Sequence, residues 1–364
     1  MIISVKFKAT FAFYFPIKYI LVKHFNNNRK KVLLLICFFL ILIFSFFIAS
    51  KYKQKNVTVL ADLAIDTTQK KPALDTLAYQ NKLKYLANND ISGKWPPITA
   101  IPLKGALLPY NRIIAYYGNF YSKHMGILGE YSTSIMLQKL NEQVKQWEDA
   151  DSLTPVIPAI HYIAVTAQSS AGDGGFYRLR MPEKEIQKAI TMADSINGVT
   201  FLDVQVGLST LQNELPRLEK YLMQAKVHLG IDPEFSMKTG KRPGTIIGTF
   251  DADDINYATA LLAKMVKDHK LPPKILVVHR FTEGMLTNYK KIITRPEVQI
   301  VIDMDGFGSP VLKKSTYHSF IFKQPVQFAG FKVFYKIDAK TGRSIMQPVE
   351  LLQLTPKPIY IQYQ

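Results

Sequence analysis

From residue 111 to the C-terminal Gln364, short apolar runs alternate with longer amphipathic ones, and the alternation repeats eight times. The runs are RIIAYYG (112–118), VIPAIHYIAV (156–165), GVTFLDVQV (198–206), KVHLGIDPEF (226–235), KILVVHRF (274–281), VQIVIDMD (298–305), GFKVFYK (330–336) and PIYIQYQ (358–364). Four to eight apolar residues bounded by Gly, Pro or Lys read as buried strands. The intervening EYSTSIMLQKLNEQVKQWEDA, PEKEIQKAITMADSI, ELPRLEKYLMQA, DADDINYATALLAKMVKDHK and QPVELLQL carry helical patterns. Pro182 falls in a helix first turn, where its missing N–H costs nothing, and Asp251 or Asp253 is placed to cap the helix near Ile255. Eight such strand–helix steps over 254 residues predict an α/β chain of the (β/α)8 TIM-barrel class. The rival, a doubly wound open sheet, finds no GxGxxG after the first strand and no Walker-type loop.

The N-terminus is of another kind. Residues 32–49 (VLLLICFFLILIFSFFIA) form an uncharged apolar run long enough to cross a bilayer. Seven basic residues precede it and three follow closely, so the heavier flank stays cytoplasmic and the rest is exported. The expected organisation is a basic cytoplasmic segment (1–31), a transmembrane signal anchor (32–50), a stalk (51–105) and the barrel (106–364). The expected location is extracytoplasmic and membrane-anchored, or secreted if FIAS before Lys51 is cleaved. The first 55 residues hold ten basic groups and no acidic one, so of the net +18 only +8 belongs to the remainder. The basic pI therefore reflects the membrane flank, and no nucleic-acid partner is expected. A single cysteine, Cys37, excludes intrachain disulfides and thiolate metal clusters.

Barrel chemistry collects at the C-terminal ends of the strands. Those ends carry Tyr116 and Tyr117, His161, Asp203 and Gln205, Asp232 and Glu234, His279 and Arg280, Asp303 and Asp305, Tyr335, then Gln362 and Tyr363. Asp203/Gln205, Asp232/Glu234 and Asp303/Asp305 are each two apart, so strand alternation gives each pair one face. Leu202, Val204, Ile302 and Met304 take the other face, against the helices. Five carboxylates converging on one axis repel, so some must hold a proton, bind a cation or accept several donors; Tyr117, His279, Tyr335 and Tyr363 are the expected donors. A lone strand-end aspartate often only caps the next helix, and His161, nearer mid-strand, reads as a core histidine; three same-face pairs are harder to explain structurally. The glycine-rich SSAGDGGFYRLR (169–180), with Asp173 and Arg178, is expected to be mobile over the mouth. NFYSKHMGILGEYS (119–132) adds His124 and Glu130, and SMKTGKRPGTIIGTF (236–250) is long enough to form rim.

The segments AYYG, LDVQVG, DPEF, LPPKILVVHRF and DMDGFG together resemble an uncharacterised group of bacterial secreted or lipoprotein-type proteins whose barrels are similar to glycoside hydrolases. The resemblance spans residues 113–364 and implies a barrel and an extracytoplasmic site. The chain has no Asn-Glu pair ending its fourth strand and no chitinase-type DxxDxDxE. Glycoside hydrolysis needs one carboxyl as proton donor and one as nucleophile or base. That assigns Glu234 as acid/base, Asp303 or Asp305 as its partner, and Asp232 as orienter or alternative nucleophile. Tyr117, Asp203, Gln205, His279, Tyr335, Asp173, Arg178 and Gln362 are the expected substrate contacts, on a carbohydrate or cell-wall glycan. No cofactor is required by that reading. Two alternatives use the same mouth. One is a metal-dependent hydrolase in which Asp203, Asp232, Glu234, His279, Asp303 and Asp305 hold Mg²⁺ or Ca²⁺. The other is a non-catalytic glycan- or peptidoglycan-binding barrel.

Overall fold

The computed structural model describes residues 75–341 and 344–364. The basic segment 1–31, the apolar run 32–50 and residues 51–74 of the expected stalk lie outside those residues. Among the described residues no helix is long and apolar enough to cross a membrane.

Eight strands close into a parallel barrel: β1 (Arg112–Gly118), β2 (Val156–Ala167), β3 (Val199–Val204), β4 (Val227–Ile231), β5 (Lys274–Arg280), β6 (Val298–Met304), β7 (Phe328–Val333) and β8 (Tyr360–Tyr363). Each pairs with the next in parallel, and β8 pairs back onto β1, with Ile113 opposite Tyr360 and Tyr116 opposite Tyr363. Closure leaves no strand edge to protect. All eight expected strands are present, and the helices α2 (Thr133–Ala150), α3 (Glu183–Ser195) and α4 (Ala252–His269) fall where their periodicity placed them. Asp251 is the cap of α4, completing a capping box with Asp254, whereas Pro182 sits one position outside α3 as its N-cap residue. ELPRLEKYLMQA is not one helix but short turns at Leu211–Glu214, Leu215–Leu218 and Glu219–Leu222, with Pro216 inside the run.

Strand alternation sorts the core into two layers. Ile113 and Ala115 of β1, Ala159 of β2, Phe201 of β3, Ile275 and Val277 of β5 and Val301 of β6 fill the barrel interior. Ile114, Leu202, Val204, Leu276, Val278, Ile300, Ile302 and Met304 face the surrounding helices. Phe201 packs on His161 and Tyr360 at the level where the interior turns polar, and truncating it to alanine would cost about 3 to 5 kcal/mol.

The lower end is plugged. Gln299 exchanges hydrogen bonds with the backbone of Leu108 at 2.6 and 3.1 Å. Helix α1 (Thr76–Leu86), capped by Asp75, brings Leu86 into the interior cluster. Of the expected stalk, the described residues from 75 onward make contacts with the barrel. Trp95 donates to the Phe322 carbonyl at 3.1 Å and Leu103 to the Pro296 carbonyl at 2.9 Å.

Candidate active site

Above Phe201 the inward positions become ionisable. Asp203 stands opposite Gly230 on β4, His279 opposite Asp303 on β6, Tyr117 opposite His161 on β2, and Lys332 opposite Gln362 on β8. These side chains form two tiers.

The deeper tier is His161, Asp203, His279, Asp303, Tyr360 and Gln362, all without solvent exposure. Asp203 Oδ1 lies 3.3 Å from His161 Nε2 and 3.4 Å from His279 Nε2. Its Oδ2 accepts from the Tyr117 hydroxyl at 2.9 Å. On the far side of its ring, His279 Nδ1 is 3.1 Å from Asp305 Oδ2 and 3.6 Å from Asp303 Oδ2. His161 Nδ1 is 2.5 Å from the Tyr360 hydroxyl. Burial opposes charge on Asp203, yet the two imidazoles beside it hold its carboxyl well below the ordinary range. Burial pushes Asp303 up to about 7 and His161 down to about 4. His279 is displaced the other way, because Asp203 and Asp305 outweigh its burial and raise it well above an ordinary histidine.

The upper tier opens on solvent. A cavity of about 300 Å³ is lined by Tyr117, Gln205, Asp232, Glu234, Asp305 and Lys332, with walls from Phe235, Phe281, Phe307 and Phe334. Lys332 Nζ lies 2.9 Å from Asp305 Oδ1 and 4.0 Å from the centre of the Tyr117 ring. Gln205 donates to Asp232 Oδ2 at 3.1 Å while its own carbonyl accepts from the Ala167 N–H. Asp232 Oδ1 accepts from the Glu234 N–H at 3.0 Å. The Glu234 carbonyl in turn accepts from the Gly248 N–H at 2.6 Å, so the 236–250 loop folds back on this turn. Burial pushes Asp232 up to about 8, and burial, with Asp305 nearby, raises Glu234 above an ordinary glutamate. Asp305 is held below its ordinary value, since Lys332 and His279 outweigh burial.

The expected same-face pairs are present, though not all by strand alternation. Strand β4 ends at Ile231, and the chain enters a 3-10 turn, Pro233–Phe235, with Asp232 as its cap. That turn, rather than the pleat, brings Glu234 over the mouth. Asp303 points inward as expected, but it lies beneath the cavity and not among its lining residues. Asp203 and Gln362 are likewise interior groups, Gln362 donating to the Tyr360 hydroxyl at 2.9 Å.

Other expectations are corrected by position. Strand β7 ends at Val333, so Tyr335 has outward parity; its hydroxyl bonds Gln143 at 2.9 Å, and its ring stacks on Tyr363. Tyr363 accepts from the Trp147 indole at 2.9 Å, also outside the barrel. Arg178 does not reach the mouth. It is paired with buried Glu214 at 3.0 Å, alongside Arg180 at 2.7 Å. These pairs and the antiparallel pairing of 178–180 with β2 fix the C-terminal end of the glycine-rich loop to the barrel flank. Asp173 is exposed on that loop and does not line the cavity. His124 does line it, whereas Glu130 pairs with Lys336 at 2.9 Å. Sequence reasoning missed Lys332, although a lysine alternating with Phe328 and Gly330 inside an apolar strand was the available signal. It also missed Phe307 and Phe334.

The expected Mg²⁺ or Ca²⁺ shell of six side chains is not gathered at one point. Among the described residues, the one group of three or more potential ligands with atoms within 4.8 Å of one another is His161, Asp203 and His279.

The fold and the mouth define a (β/α)8 barrel with an acidic, aromatic-walled cavity at the C-terminal ends of its strands. No family model matches the chain, and no curated protein matches it. Among solved structures, a sugar phosphate isomerase/epimerase from Parabacteroides distasonis aligns over 70% of this chain and 86% of its own, at 10% identity and a TM-score of 0.33. At that score the likeness carries no argument about chemistry, and the barrel rests on the strand register described above.

Proposed function

We propose that the barrel mouth cleaves a glycosidic bond in a glycan or cell-wall saccharide, with Glu234 as proton donor and Asp305 as its ionised partner. The observation that carries this reading is the placement of both carboxyls on one open cavity in unlike surroundings. Glu234 sits on a partly buried turn whose backbone N–H bonds Asp232, while Asp305 is bound to Lys332. Carboxylates that their environments drive apart serve as acid and base in such hydrolyses. Asp303, the other candidate partner, lies too deep to meet a substrate. Phe307 and Phe334, edge to face at 6.1 Å, offer apolar surfaces to sugar rings. The proposed extracytoplasmic, membrane-anchored location is supported by the apolar run 32–49 and its basic flank.

The test is a screen of polysaccharides and purified cell walls for reducing-end release by the full chain, beside Glu234→Gln. Release that the variant loses, with its melting temperature unchanged, supports hydrolysis. Binding of a glycan with no release by the wild type would instead make the barrel a receptor.

A further inference from the structure

We infer that His161, Asp203 and His279 form a divalent transition-metal site of the zinc type, one tier below the mouth. Their near atoms, His161 Nε2, Asp203 Oδ1 and His279 Nε2, are buried, and none has a hydrogen-bond partner. Asp203 Oδ1 is 3.3 and 3.4 Å from the two nitrogens. A tetrahedral ion with bonds of about 2.0 to 2.1 Å sets its donor atoms about 3.3 to 3.4 Å apart. Both distances from Asp203 Oδ1 match ligands sharing an ion, and the two nitrogens lie within 4.8 Å of each other.

Two of the three far atoms are held as ligands require. Asp203 Oδ2 accepts from Tyr117 at 2.9 Å and His161 Nδ1 is 2.5 Å from the Tyr360 hydroxyl, while His279 Nδ1 faces Asp305 at 3.1 Å without a hydrogen bond between them. A hydroxyl behind a ligating ring fixes its tautomer and orientation, and a facing carboxylate favours a proton on the far nitrogen. Position 230 adds an independent sign. A Cβ there would stand 2.4 Å from His161 Nε2 and 2.5 Å from Asp203 Oδ1, and the residue is glycine. Two imidazoles and one carboxylate suit zinc or its neighbours better than Mg²⁺ or Ca²⁺. Three protein ligands leave a fourth position for water or substrate.

The inference goes beyond the hydrolytic reading, and its test counts metal, so either can fail alone. Untagged full chain is stripped with a chelator and titrated with Co²⁺, followed by its visible d–d absorption, then competed with Zn²⁺. One saturable Co²⁺ per chain, displaced by one Zn²⁺, is expected. His279→Gln should weaken binding at least 100-fold, and Gly230→Ala should weaken it too, while Glu234→Gln should leave it unchanged. Asp305→Asn should weaken it about 10- to 100-fold. Absence of saturable uptake by the wild type overturns the proposal, as does unaltered affinity in folded His279→Gln. Should that variant not fold, unaltered affinity in both Gly230→Ala and Asp305→Asn overturns it.

Discussion

Lys332 and Asp305 form a buried ion pair of 2.9 Å at the threshold between the two tiers of the barrel interior. Both side chains are under a tenth exposed, so neither charge is well solvated alone. Lys332→Met leaves Asp305 without its ammonium and should destabilise the fold by about 3 to 5 kcal/mol at neutral pH. Urea unfolding measures this. The double variant Lys332→Met/Asp305→Asn should recover a large part of the loss, because no unpaired charge remains.

Glu234 titrates above an ordinary glutamate, so its donor form persists to higher pH. The rate of hydrolysis should fall on the alkaline side as Glu234 ionises. The residual rate of Glu234→Gln should lack that limb. A pH–rate profile of both proteins reads it, and an identical alkaline limb in the variant would assign it to another group.

Phe307 stands 58% exposed on the rim, braced by Phe334. Phe307→Ala removes a stacking surface worth about 0.5 to 1.5 kcal/mol, so KM for a polymeric substrate should rise several-fold with kcat nearly unchanged. Loss of kcat alone in steady-state kinetics would show that the ring acts elsewhere than in binding.

At the opposite end of the barrel, Arg112 holds Asp151 at 2.8 Å beneath Trp147. Burial would raise Asp151, but Arg112 prevails and lowers it. A depressed folded value means the stabilisation is complete above the unfolded value, about 3.9, and is lost as pH falls through the folded one. Asp151→Asn should therefore lose about 3 to 5 kcal/mol at pH 7, and the gap to wild type should narrow below about pH 4. Paired urea titrations at the two pH values check the sign.

The fold was legible because closed parallel barrels write themselves as apolar runs, and all eight runs became strands. Asp203 and Asp303 were legible for the same reason, since period-two alternation sends both inward. Glu234 reached the mouth by a route alternation does not describe, the 3-10 turn capped by Asp232. Tyr335 was misplaced because the seventh strand begins and ends earlier than its aromatic run suggests. Arg178 was misplaced because nothing local announces its partner: Glu214 is 36 residues away. His161 read as a core histidine, and it is fully buried; only the fold reveals that Asp203 and His279 converge on the same point.

Glu234 and Asp305 are proposed to act as one hydrolytic pair. The most direct measurement is proton NMR of anomeric product signals from the best substrate, with wild type, Glu234→Gln and Asp305→Asn at matched folded concentration. Product is expected from the wild type, with a loss of about 10²- to 10⁴-fold in Glu234→Gln, a comparable loss in Asp305→Asn and the substrate still bound by both. Cleavage at an undiminished rate in either folded variant would contradict it.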